Sequence, residues 1–256
     1  MLDRILLTND DGIAAPGLAV LEHIAGQLAR EVWVVAPEHD QSGVSHAVSL
    51  HDPIRVSQHG PRRYGVSGTP ADCAVMGLRH LMAEAPPQLL LSGVNRGANL
   101  GMETVFSGTV GGAMTGMMLG IPSIGLSQAF RDRHNVPWET ARAHGAAVIR
   151  RLLAAGWSAD TCLNVNFPDV APEACGPVTL CRQGVGLIEG MHVETRTDPR
   201  GMTYHWLNFR RGPREQAPES DADVLRAGRI GVTPIRYDRT DEAAFQSLAA
   251  HFPRLA

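Results

Sequence analysis

The chain has 256 residues, 44% hydrophobic and 19% charged, a composition that supports a substantial buried core and excludes a disordered chain. A net charge of −3 offers no broad basic field, so no polymeric nucleic acid is expected as partner and a nucleotide-like ligand would be met at a pocket. No lysine occurs anywhere; this removes the phosphate lysine of a P-loop, the amine of a Schiff-base enzyme and the lysine usual in haloacid-dehalogenase-type phosphatases.

Arg4-Ile5-Leu6-Leu7-Thr8 is a short apolar run that ends in the turn Asn9-Asp10-Asp11-Gly12, and Pro16-Gly17 then opens a helical pattern carried by Leu18, Leu21, Ile24, Ala25 and Leu28. Glu31-Val32-Trp33-Val34-Val35-Ala36, closed by Pro37, is the second strand, so the chain begins as a βαβ unit with a parallel sheet. Small antiparallel strands are expected over residues 48–56 and 64–66. Thr69-Pro70-Ala71-Asp72 reads as a helix start, with Thr69 as N-cap and Asp72 complementing the dipole. A core strand at residues 88–91, a small-residue helix over 108–119, a strand over 121–126, a longer helix over 137–155 and a strand over 162–166 complete the alternation. Beyond about residue 178 the pattern changes. Asp198-Pro199-Arg200-Gly201 is a turn between strand-like pieces and predicts a projecting hairpin, followed by a strand over 230–235 and a helix over 242–252.

The four cysteines, Cys73, Cys162, Cys175 and Cys181, lack the spacing of a zinc site and read as buried free thiols. No stretch reaches the roughly 18 apolar residues of a membrane helix and no apolar signal region precedes the first strand, so no membrane association and a cytoplasmic location are expected.

In an open parallel sheet, ligands bind where strand carboxyl ends lead into helix N-termini. Asp10 and Asp11 lie at such a place. Adjacent carboxylates repel unless a cation or several donors offset them, which points to a hard divalent ion, with a turn or helix cap as the plainer alternative. Ser107-Gly108-Thr109 either seats a phosphate on a helix start or is an ordinary cap. Asn95 could supply a neutral oxygen ligand or a donor to phosphate, and Arg96 is a further candidate site residue, or both could serve the loop and solvent; His46 could be a general acid, a phosphate-stabilising group or a structural hydrogen-bonding group. A dinucleotide-binding module does not fit, because the first turn carries two carboxylates where G-x-G-x-x-G would be needed.

The ordered segments Ile5-Leu6-Leu7-Thr8-Asn9-Asp10-Asp11-Gly12, Val35-Ala36-Pro37, Ser42-Gly43-Val44-Ser45-His46, Gly68-Thr69-Pro70-Ala71-Asp72-Cys73, Ser92-Gly93-Val94-Asn95-Arg96-Gly97-Ala98-Asn99-Leu100-Gly101 and Ser107-Gly108-Thr109-Val110 together resemble one family, the SurE-type survival-protein nucleotidases. The resemblance continues through Leu163-Asn164-Val165-Asn166-Phe167-Pro168, residues 198–206 and Val232-Thr233-Pro234-Ile235, and so spans nearly the whole chain.

The resemblance implies a single α/β, Rossmann-like domain over residues 1–256, its mostly parallel sheet flanked by helices, with residues from about 178 to 256 forming a projecting hairpin and a swapped C-terminal oligomerisation extension. It implies a metal-dependent 5′-nucleotidase that hydrolyses nucleoside 5′-monophosphates to nucleoside and phosphate, one divalent ion (Mg, Mn or Ca) per subunit, and a homodimer or homotetramer. Asp10, Asp11, Ser42 and Asn95 match metal ligands, with Asp10 and Asp11 also catalytic. Asn9, Gly43, Ser107, Gly108 and Thr109 match positions around the substrate phosphate. A 3′-nucleotidase, a short-chain exopolyphosphatase and a non-catalytic nucleotide-binding module are the alternatives. Phe106, where a Tyr is frequent, Thr115, where an acidic residue is frequent, and Arg229-Ile230-Gly231 depart from the family pattern.

Overall fold

The computed structural model describes residues 1–212 and 214–252. The first half runs β1 (Leu2–Thr8), α1 (Pro16–Gly26), β2 (Ala29–Pro37), β3 (Val56–Gly60), β4 (Arg63–Val66), α2 (Pro70–Met76), β5 (Leu89–Arg96), α3 (Gly108–Met118) and β6 (Ser123–Gln128). The second half runs α4 (Trp138–Ala155), β7 (Cys162–Phe167), β8 (Gly176–Leu180), β9 (Ile188–Thr197), β10 (Thr203–Arg211), α5 (Asp221–Arg226), β11 (Arg229–Ile235) and α6 (Glu242–Ala249). No helix among the described residues is long and apolar enough to cross a membrane.

Nine strands form one sheet in the order β3-β4-β2-β1-β5-β6-β7-β11-β8. From β4 to β7 every neighbouring pair is parallel; β3 joins β4 and β11 joins β7 in antiparallel sense. The central strands are apolar on both faces because both are covered. Ile5, Leu7, Leu89 and Leu91 pack into the core beneath α1 and α4, whereas Leu6 and Leu90 pack with Cys73, Ala74 and Leu78 beneath α2. From β1 the chain winds outward to β2, and from β5 it winds the other way to β6. The strand order therefore reverses between β1 and β5, which opens a crevice at their carboxyl ends.

The antiparallel piece expected over residues 48–56 lies further along the chain. Val48 and Leu50 are exposed and outside any strand, and the pairing strand is β3, set by the short turn into β4. Pro53 interrupts the earlier alternation by removing a ladder donor. The segment beyond residue 178 divides. β8 and β11 complete the main sheet, while β9 and β10 form a separate two-stranded hairpin; residues 213 and 253–256 of the expected extension lie outside the described ones. Asp198 closes the hairpin turn, its Oδ1 accepting from the amides of Arg200 (2.8 Å) and Met202 (2.9 Å).

Helix α2 starts as the sequence predicts and does more than cap itself. Thr69 accepts from the Asp72 amide and Asp72 accepts from the Thr69 amide at 2.9 Å, a capping box. Asp72 also accepts from Ser49, at 3.0 Å from its amide and 2.7 Å from its hydroxyl, so one buried carboxylate fixes both the helix and the loop leading to it. Replacing Asp72 by Ala strands three donors on two residues, Thr69 and Ser49, and urea denaturation should show a loss of about 2–4 kcal/mol, against about 1 kcal/mol for Thr69→Ala. Equal losses for the two variants would contradict this division of labour.

Candidate functional site

The crevice between β1 and β5 is built from four segments, the turn after β1, the loop after β2, the end of β5 and the start of α3. In the turn after β1, the buried Asn9 side chain donates to the Gly12 carbonyl at 2.9 Å and so folds the turn, leaving Asp10 almost fully buried and Asp11 partly exposed. The loop after β2 is held at both ends. The Gln41 amide donates to the Asp10 carbonyl at 2.7 Å, and Ser45 donates to the Phe106 and Val105 carbonyls at 3.1 and 2.5 Å. Ser42 and Gly43 are thereby suspended between the carboxylate turn and the start of α3.

Strand β5 reaches the crevice through an irregularity. One extra residue stands between Ser92 and Asn95 relative to β6, where Gly93 has φ +142° and a Cβ would lie 2.3 Å from the Leu126 carbonyl oxygen. Only glycine fits that bulge, which turns the following Asn95 and Arg96 toward the ligand end of the sheet. The Asn95 amide nitrogen is engaged by the Gly97 carbonyl at 2.8 Å, and the Arg96 backbone amide donates to Asp11 Oδ2 at 3.1 Å.

Helix α3 begins against Asp10. Ser107 is its N-cap, accepting from the Val110 amide, and the buried Thr109 hydroxyl donates to Asp10 Oδ1. A Cβ on Gly108 would sit 2.8 Å from Asp10 Cβ, so the helix can approach the carboxylate only because residue 108 is glycine. A cavity of about 290 Å³ brings together Asp10, Ser42, Gly43, Asn95, Arg96 and Ser107. Asp11 borders the two adjoining cavities with Arg96 and Arg133. Asn9 and Thr109, expected at the phosphate, are fully buried, and their side chains brace the turn and the Asp10 carboxylate.

His46 is placed elsewhere. Its Nε2 lies 2.7 Å from Thr115 Oγ1 and its ring stacks on Tyr237, so it pins the loop after β2 to α3 and to the segment after β11. Burial, then the Arg239 charge, hold it below the usual histidine range.

Sequence reading missed the hairpin's part. Ile188 of β9 and Phe209 and Arg211 of β10 line the same cavity. Their position follows from a joint of buried carboxylates. Asp221 accepts from the amides of Gly101 (2.7 Å) and Gly184 (2.9 Å), and Glu103 accepts from the Leu187 amide at 2.8 Å. These contacts link residues 37, 84 and 120 apart in the chain, so no local pattern marks them; the Gly184-Val185-Gly186 run is the one trace of the close crossing.

Burial pushes Asp10 up to about 7; the Thr109 hydroxyl bond opposes this and the Asp11 charge adds to it. Asp11 is also raised, by burial first, with the Arg96 amide and charge opposing. Two desolvated carboxylates in sequence would be compensated by a bound cation. The residues fit one. Ser42 and the Asn95 side-chain oxygen add neutral donors on the cavity wall, and Oδ1 of Asn9, beside Asp10 in the turn, is buried without a hydrogen-bond partner. The described residues contain no group of three or more His, Cys, Asp or Glu suited to a metal, because half of this donor set is Ser and Asn. All-oxygen donors suit Mg, Mn or Ca.

The family model described as Survival protein SurE matches residues 5–189. The 5′-nucleotidase SurE 1 of Burkholderia lata is 54% identical over 248 residues, covering 97% of this chain and 96% of its own. The 5′-nucleotidase SurE of Bradyrhizobium diazoefficiens is 48% identical over 251 residues, covering 96% and 98%. The crystal structure of the SurE protein from Aquifex aeolicus shares the fold at a TM-score of 0.83 and 34% identity, over 98% of this chain and 100% of that one. With the switch-point crevice, its paired carboxylates and these matches over nearly the full length, the chain belongs to the SurE family.

Proposed function

We propose that the chain is a metal-dependent phosphomonoesterase that hydrolyses nucleoside 5′-monophosphates to nucleoside and phosphate. The observation that carries this reading is the single cavity shared by Asp10, Ser42, Asn95 and Ser107, where an oxygen donor set adjoins a helix start. Relatives named 5′-nucleotidase, about half identical over nearly the whole chain, support the same activity.

Asp10, Asp11, Ser42 and Asn95 would hold one divalent ion, Mg, Mn or Ca. When bound, the ion supplies positive charge opposite the phosphoryl group and makes water acidic enough to attack at neutral pH. Gly43, Ser107 and the first amides of α3 hold the phosphoryl oxygens and stabilise the charge that spreads over them in transfer. Asp10 or Asp11 takes the proton of the attacking water. Arg96 offers a positive charge at the cavity rim. Leaving-group protonation is not assigned to His46, whose ring nitrogen is engaged by Thr115.

A second reading has its own support. Arg96 and Arg133 line both cavities beside Asp11, a setting that would accept the further phosphates of a short polyphosphate.

Self-association as a homodimer or homotetramer is supported by exposed apolar side chains outside the sheet: Val193, Trp206 and Leu207 on the hairpin, and Phe245, Leu248 and Phe252 at or just after α6. A cytoplasmic setting is supported by four free cysteines.

Phosphate release from AMP should require added Mg or Mn and vanish with chelator, and Asp10→Asn should lower kcat/KM at least about 100-fold. Chelator-resistant hydrolysis, or full activity in that variant, would sink the metal reading. Gly108→Ala keeps every donor yet forces a methyl against Asp10 Cβ, so kcat should fall on the order of 100-fold with the fold retained by circular dichroism. For assembly, light scattering on wild type and Leu207→Asp should show a drop in mass to a smaller species; an unchanged mass excludes this face.

A further inference from the structure

The base of the hairpin stands over the phosphate seat and has a chemistry of its own. The rings of Phe106 and Phe209 lie 5.1 Å apart at 54°, and the Arg211 guanidinium sits over the Phe209 ring at 5.6 Å. All three line the cavity that holds Asp10, Ser42 and Ser107. Phe106 directly precedes Ser107, so an aromatic face begins one residue from the helix start.

The pairing of β9 and β10 shifts at this point: Arg210 pairs with Gly190, and Arg211 with Ile188, so Glu189 is the extra residue. The bulge puts apolar Ile188 beside Arg211 at the cavity. Glu189 instead meets Arg210 at 3.5 Å and does not line the cavity.

Resting on the 5′-nucleotidase reading, we propose that Phe209, Phe106 and Arg211 form the nucleobase subsite, so that the hairpin base determines the preference for nucleotides over other phosphomonoesters. A phosphate at Ser107 leaves the nucleoside to extend along this wall, where two aromatic faces and a stacked guanidinium offer flat, polarisable surfaces to a purine or pyrimidine. Neither phenyl ring carries a hydrogen-bonding group. The two rings therefore read the π face shared by all bases and tolerate each of them.

The test compares AMP, UMP and ribose 5-phosphate as substrates, in saturating Mg, for wild type, Phe209→Ala, Phe209→Tyr and Arg211→Gln, with calorimetric binding of AMP and ribose 5-phosphate alongside. Phe209→Ala should raise KM for AMP and UMP by roughly 5- to 150-fold, the loss expected for one stacked base, while the KM for ribose 5-phosphate moves by less than about twofold. Phe209→Tyr should restore the preference for AMP and UMP. Equal losses on all three substrates, or an undiminished AMP preference in Phe209→Ala, overturns the subsite. Should wild type hydrolyse none of them, the nucleotidase reading fails, and the subsite is then decided by whether AMP outbinds ribose 5-phosphate in wild type and not in Phe209→Ala. If Phe209→Ala loses its thermal transition, the exposed Arg211→Gln carries the same comparison, with loss of base preference expected and its full retention overturning the proposal.

Discussion

Two neighbouring carboxylates taken out of water at the end of a central strand are the constraint around which this molecule is arranged. Asp10 and Asp11 repel one another, and burial makes each charge more costly than it would be in a surface turn. The surroundings answer with partial positive charge: the start of α3 and the Thr109 hydroxyl at Asp10, the Arg96 amide at Asp11. These dipoles, together with the Arg96 charge at Asp11, only partly oppose the desolvation. What remains is a standing demand for further positive charge at the crevice.

The helix that meets this demand is a poor helix by composition. Gly108, Gly111, Gly112 and Gly116 lower the intrinsic propensity of α3, yet ten of its eleven residues are buried. Their missing side chains are what let it lie so close. A Cβ on Gly111 would reach 2.7 Å from the Ser45 carbonyl oxygen, and one on Gly112 would press on Thr8 and Pro70. Packing of α3 against the sheet, α2 and the loop after β2 repays the lost propensity, and close approach delivers the helix start to Asp10.

The Rossmann-like body was legible because its strands are continuous apolar runs of the kind that both-sided burial demands, and because each is punctuated by Pro, Gly or Asn-Asp. The carboxylate turn, Ser42, Asn95 and the start of α3 were legible as ordered motifs at strand ends. Three kinds of feature were not. The bulge before Asn95 depends on pairing with β6. The supporting roles of Asn9 and Thr109 depend on burial, which a motif does not encode. The hairpin wall depends on contacts such as Asp221 to Gly101, made across distant parts of the chain. β8 and α5 are short and gave no periodic signal, and Val48 and Leu50 gave a false one by alternating without a partner strand.

The turn that Asp198 closes lies at the far tip of the hairpin, well outside the crevice in sequence terms, yet it dictates the registration of β10 on β9. In a two-stranded ribbon each residue's face is fixed by that registration, so a slip of one position would exchange Phe209 for Asn208 or Arg210 at the cavity wall. The tip is thus a remote editor of the pocket. An insertion or deletion of a single residue there that slipped the registration would change the chemistry of the wall without touching any residue that lines it.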